Sequence, residues 1–132
     1  MRSRFWLALG GGVCGLGVAL GPFAAPGLQK MPSPYLIEVF STGVQYQFIH
    51  GIAILLCGVL LGLKLPLKSQ KYFSLAAVCF IIGILCFSGS LYALALTGIK
   101  WFGPITPLGG LTFMLGWGLF VYAALQVKEV NQ

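Results

Sequence analysis

The sequence predicts an all-α membrane protein, a four-transmembrane-helix bundle forming one domain over residues 1–132. Three observations predict it: a charge-poor composition, four apolar runs long enough to cross a bilayer, and basic residues gathered at the ends of those runs. Of the 132 residues, 58% are hydrophobic and 8% are charged. A soluble domain carries about 25% charged residues because its exterior must be solvated. Two acidic and eight basic side chains cannot cover this one, whereas an exterior facing hydrocarbon needs no such cover.

The first apolar run covers residues 5–25 behind Arg2 and Arg4. A spanning helix needs about 20 apolar residues. A cleaved signal peptide is the competing reading, since a basic start and small residues at Ala24 and Ala25 resemble one. The run exceeds a signal core in length, so a retained helix is expected. Pro26, Pro32 and Pro34 then exclude a regular helix, and a loop follows. Tyr35, Leu36, Val39 and Phe40 fall on one helical face, which predicts a short interfacial helix over residues 35–42 before the second span.

The second span is expected over 44–63. It opens on Gln45, Gln47 and His50 and ends at the loop Lys64-Leu65-Pro66-Leu67-Lys68-Ser69-Gln70-Lys71. The third is expected over 72–96, the fourth over 107–127. Thr106-Pro107 reads as the start of the last helix, with threonine capping exposed amides and proline in the first turn. With the amino terminus inside, the inner segments hold Arg2, Arg4, Lys64, Lys68, Lys71 and Lys128, and the outer loops hold Lys30 and Lys100. That asymmetry predicts both termini in the cytoplasm.

The net charge of +6 belongs to this topology rather than to nucleic acid, because the basic residues form no patch interleaved with aromatics. Cys14, Cys57, Cys79 and Cys86 lie inside apolar runs and read as small hydrophobes. The chain has no aspartate, and its glutamates are Glu38 and Glu129. Paired-carboxylate chemistry and a Ser-His-Asp triad are therefore excluded. No cofactor or metal is expected.

Three groups of residues are candidates for function. Gly11 and Gly15, Gly17 and Gly21, and Gly58 and Gly62 have the four-residue spacing that brings membrane helices close. They pack the bundle internally, or they dock another membrane protein or a second copy of the chain. An ionisable or polar group within a span needs a reason. Tyr46, Gln47 and His50 share one helical face, with Glu38 ahead of them. Ser88, Ser90 and Tyr92 of the third span can form the opposite wall of a polar ligand site, or the two sets can bond one another and fix helix register near the interface. Lys100 and Thr106 form a candidate site for an anion or headgroup at the start of the last helix.

The strings Gly21-Pro22-Phe23-Ala24-Ala25-Pro26-Gly27-Leu28, Thr42-Gly43-Val44-Gln45-Tyr46-Gln47-Phe48-Ile49-His50, Phe87-Ser88-Gly89-Ser90-Leu91-Tyr92 and Ile105-Thr106-Pro107-Leu108-Gly109-Gly110 together resemble the YgdD-like family of small bacterial inner-membrane proteins, which has mitochondrial membrane relatives. The resemblance covers nearly the whole chain. It implies four membrane helices and a bacterial inner-membrane location, and it brings no function. The family's first-loop motif, GAFGAHGL, carries histidine where this chain has Pro26 and glycine where it has Ala24. A role that needs that loop histidine is therefore not carried over to this chain, while His50 matches the family's second-helix histidine.

These features point first to a non-enzymatic accessory, assembly or stabilising component of a membrane protein complex, in contact with the lipid bilayer. The alternative is a binding or transport module for a small or lipid-like ligand around His50. An intramembrane enzyme would have to use His50 with Tyr46 or Glu38.

Overall fold

A computed structural model describes residues 3–23, 25–28, 30 and 33–127. Arg2 and Lys128, used in the charge asymmetry, and Ala24, used in weighing a signal peptide, lie outside the described residues. Among the described residues, four helical stretches are long and apolar enough to cross a membrane: Ser3–Pro22, Pro34–Leu61, Leu67–Thr97 and Lys100–Leu125. In chain order the elements are α1 (Ser3–Val18), a π-helical turn (Ala19–Phe23), α2 (Ala25–Leu28), α3 (Pro34–Leu61), α4 (Leu67–Gly83), a second π-helical segment (Ile84–Ser88), α5 (Gly89–Thr97), a 3₁₀ turn (Lys100–Phe102) and α6 (Ile105–Leu125).

The breaks have local causes. Pro22 has no N–H to give the helical ladder, and it sits in the π turn that ends α1. Pro34 opens α3 at a position where a missing N–H costs nothing. Pro66 precedes α4. Gly98 ends α5 in the left-handed region at φ 72°, and its N–H bonds back to the Leu94 carbonyl at 2.7 Å. The stretch expected to be entirely loop after the first span contains one helical turn, α2.

The short interfacial helix expected over residues 35–42 is not a separate element. These residues are the first turns of α3, which runs unbroken for 28 residues. No proline interrupts it, and Gly43, where a break was expected, is buried against Tyr92 and Leu91. Val39 and Phe40 pack there with Leu91, Leu94 and Ala95 of α5.

α3 and the α4–α5 stretch form the central pair. α1 packs along α3, and α6 packs along α4 and the π segment. Glycine sets both outer seams. A methyl group added at Gly10 would lie 2.9 Å from the Leu55 nitrogen, one at Gly17 3.0 Å from the Phe48 ring, and one at Gly21 3.0 Å from Val44. On α3, Gly51 meets Val13 and Cys14, Gly58 meets the Leu7 backbone, and Gly62 meets Ser3. Each helix therefore repeats glycine after seven and then four residues, which keeps one close-approach stripe facing its partner. α6 presents Gly109 to Phe87 and Gly116 to Phe80 at the same seven-residue spacing.

The four-helix layer runs from Ser3, Gly62, Ser69 and Ala123 at the lysine-loop end to Gly21, Val44, Ser90 and Thr106 at the Gly98 end. Val44 to Gly62 is about 27 Å along the helix at 1.5 Å per residue, close to the hydrocarbon thickness of about 30 Å. Leu16, Ile52, Leu85, Leu108 and Met114 are each more than half exposed on the outside of this layer. Water tolerates no apolar belt of that extent, and lipid does.

A polar cluster and cleft between α3 and α6

His50 is about 9 Å below Val44 along the helix, about a third of the way through the four-helix layer. Gln47, His50, Ser69, Ser88 and Ser90 are all buried. Among the described residues, no buried side-chain nitrogen or oxygen lacks a hydrogen-bond partner.

The structure splits the expected polar site in two. Gln47 turns toward α1 and α5. Its amide donates to the Val13 carbonyl at 2.9 Å, and its oxygen accepts from the Tyr92 hydroxyl at 2.5 Å. Ser88, in the π segment, donates to the Gly43 carbonyl at 2.7 Å. These bonds tie three helices at one level, and together with Leu20, Ile84 and Leu85 they line a small cleft of about 220 Å³.

His50 turns the other way, toward α6. Its Nδ1 lies 2.9 Å from the Tyr46 carbonyl, and the Trp117 indole N–H donates to its Nε2 at 3.0 Å. A carbonyl can only accept, and an indole N–H can only donate. The proton therefore sits on Nδ1, and Nε2 keeps its lone pair for Trp117. His50 is held as one neutral tautomer with both nitrogens occupied. Phe113 stacks on its ring at 3.6 Å and 8°, and a methyl group added at Gly51 or Gly83 would strike α1 or Phe113. The cluster is packed into place from three sides.

Beside it, a cleft of about 720 Å³ opens between α3 and α6, lined by Tyr46, Ile49, His50, Phe87, Phe113 and Trp117 among others. That volume falls in the range of about 300–1,000 Å³ typical of small-molecule pockets. Among the described residues, no charged side chain lines it. The π segment matters here too. It places Phe87 against Tyr46 at 4.8 Å while directing the next residue, Ser88, into the α3 seam. Such local widening of a helix is common at functional sites.

The remaining candidates fall elsewhere. Glu38 is exposed near the start of α3, about 18 Å along the helix from His50. Its carbonyl accepts a bond from Thr42 at 3.0 Å. Ser90 shares a hydrogen bond with Thr106 at 2.6 Å. Thr106 therefore ties α5 to α6 instead of capping α6, which starts one residue earlier after Pro104 with no side-chain cap. Lys100 is exposed in the 3₁₀ turn. Gly17, Gly21, Gly58 and Gly62 lie in the α1–α3 seam. Gly11 and Gly15 have open space where a side chain would stand, because the seam follows Gly10 and Gly17 and a one-residue step rotates about 100° around the helix.

Phe113 and Trp117 were not singled out from the sequence. A signal was available: a tryptophan in mid-span needs an acceptor for its N–H, and the chain has one histidine.

Comparison with known proteins agrees with this architecture. Residues 20–110 match a family described as a protein of unknown function, DUF423. A UPF0382 membrane protein of Haemophilus influenzae is 38% identical over 98% of this chain and 100% of its own length. The UPF0382 inner membrane protein YgdD of Escherichia coli K12 is 35% identical over 98% of this chain and 95% of its own. The UPF0382 membrane protein YwdK of Bacillus subtilis is 40% identical over 84% and 88%. No solved structure matches. With its four apolar helices and full-length relatives, this chain is an integral membrane protein of the DUF423 (UPF0382) family.

Proposed function

We propose that the protein is a non-enzymatic binding module that holds a lipid-like hydrophobe in the α3–α6 cleft. The observation that carries this reading is the cleft itself, about 720 Å³ and lined by aromatic and aliphatic side chains from Pro107 at the edge of the layer to Trp117 well inside it. The reading departs from a site between the second and third spans, because the buried polar groups there are already hydrogen-bonded within the protein. Acid/base catalysis gains no support from His50, whose two nitrogens are both engaged. Both termini face the cytoplasm in this reading, in a bacterial plasma membrane, on the strength of the basic-residue asymmetry.

Gly110 lines the cleft, and a methyl group added there would meet only Phe87, at 4.0 Å. Gly110→Leu therefore fills the cleft without disturbing a seam. Native mass spectrometry of the chain released from lipid nanodiscs should show a retained hydrophobe that Gly110→Leu loses. Equal retention by the two proteins would refute the reading.

A second reading, an accessory component of a larger membrane complex, is favoured by a different observation. Gly11, Gly12 and Gly15 leave one face of α1 bare, and such a face admits close approach by another helix. Gly11→Leu with Gly15→Leu should abolish recovery of a stoichiometric partner in mild detergent. Recovery of only the bare chain from unaltered membranes would count against it.

A further inference from the structure

Every cleft in a membrane protein is bathed in acyl chains, so a binding cleft must prefer something else. We propose that the α3–α6 cleft takes a quinone: a neutral, planar, conjugated ring bearing carbonyl oxygens, carried on an apolar tail. This rests on the reading of the cleft as a binding site.

Charge is the first argument. Among the described residues the cleft has no charged lining residue, and His50 is neutral because Tyr46 and Trp117 occupy both its nitrogens. An anionic headgroup would find no counter-ion and would lose its hydration. Shape is the second. The rings of Tyr46, His50 and Phe113 lie nearly parallel, at 14°, 8° and 20° to one another. Tyr46 and Trp117, each 37% exposed, border the cleft, and aromatic rings of this kind stack offset with a flat conjugated ligand. A saturated chain gains nothing from that alignment.

Hydrogen bonding is the third. The Trp117 N–H is committed to His50, and the main-chain oxygen of Tyr46 is committed to the His50 ring. Tyr46 borders the cleft, and its hydroxyl has no hydrogen-bond partner among the described residues. A quinone carbonyl is an acceptor that carries no charge with it. An ester lipid also has carbonyls, but it has no ring to stack.

The test uses the full chain carrying Trp6→Phe and Trp101→Phe, so that Trp117 is the one remaining tryptophan. In saturated phosphatidylcholine nanodiscs it is titrated with a short-chain ubiquinone analogue, with a diacylglycerol of matched chain length as competitor. The expected result is saturable quenching of Trp117 that tenfold excess diacylglycerol does not displace. Tyr46→Phe should weaken it about three- to tenfold, as loss of one hydrogen bond implies, with the unfolding midpoint unchanged. Non-saturable quenching, equal affinity of Tyr46→Phe, or displacement by diacylglycerol would each overturn the quinone assignment. Loss of a different hydrophobe in Gly110→Leu would at the same time leave the binding reading standing. No cleft-dependent hydrophobe of any kind would overturn both.

Discussion

Trp117 donates its indole N–H to the Nε2 of His50 at 3.0 Å, across the gap between α3 and α6. α6 packs chiefly on α4 and the π segment, so this bond is a direct polar link from the last helix to α3. It also decides which nitrogen of His50 carries the proton. The link should therefore be measurable as a coupling between two residues 67 positions apart.

Trp117→Phe leaves the Nε2 lone pair without a donor, and His50→Phe leaves the indole without an acceptor. Each should cost about 1–3 kcal/mol. The double variant should cost less than their sum, with a coupling energy of about 0.5–1.5 kcal/mol, the scale of interhelical hydrogen bonds in membranes. Denaturant unfolding in detergent micelles checks this. Additive effects would mean that the bond contributes nothing to stability.

The glycine seam makes a sharper contrast, because neighbouring residues should respond in opposite directions. Gly10→Ala puts a methyl group 2.9 Å from the Leu55 backbone nitrogen. Backbone cannot step aside as a side chain can, so a loss of about 1–3 kcal/mol is expected. Gly11→Ala meets nothing within 4 Å and should gain up to about 1 kcal/mol from better helix propensity. Thermal unfolding of the two variants side by side decides it.

Gly98 tests the end of α5. It is the one residue with positive φ among those described. Gly98→Ala should cost about 1 kcal/mol from backbone strain alone, since a methyl group there meets open space. Hydrogen exchange at the Gly98 amide, which closes the helix on Leu94 at 2.7 Å, should speed up in the variant. An unchanged rate and midpoint would contradict this account of the cap.

Much of the fold was legible in the sequence because lipid imposes a coarse rule: apolar runs of sufficient length cross, and prolines and lysines mark the turns. The rotation of each helix was not legible. Gly11–Gly15 and Gly17–Gly21 have identical spacing, yet only the second pair lies in a seam, since spacing fixes a stripe without saying which neighbour it meets. The length of α3 was missed for a related reason. A polar, glycine-containing stretch at residues 41–45 reads as a break, but burial of Gly43 against Tyr92 carries the helix through it.

The polar residues show the same limit. Gln47 and His50 lie three positions apart on α3, close enough to suggest a common site, yet they serve opposite faces of the bundle. Gln47 reaches α1, and His50 reaches α6. Which way each turns depends on where Val13 and Trp117 stand, and the periodicity of α3 carries no information about that. Tyr46 lies beside His50, but the cleft they border needs Phe87, Phe113 and Trp117 as well.

The most direct test of the account is the depth of Trp117 when it is the chain's one tryptophan. In bilayers containing lipids brominated at defined acyl carbons, its fluorescence should be quenched most by bromines near the chain ends, and iodide in the water should leave it unaffected. Strong quenching by iodide, with little from any brominated chain, would contradict a cleft that faces hydrocarbon beside Trp117.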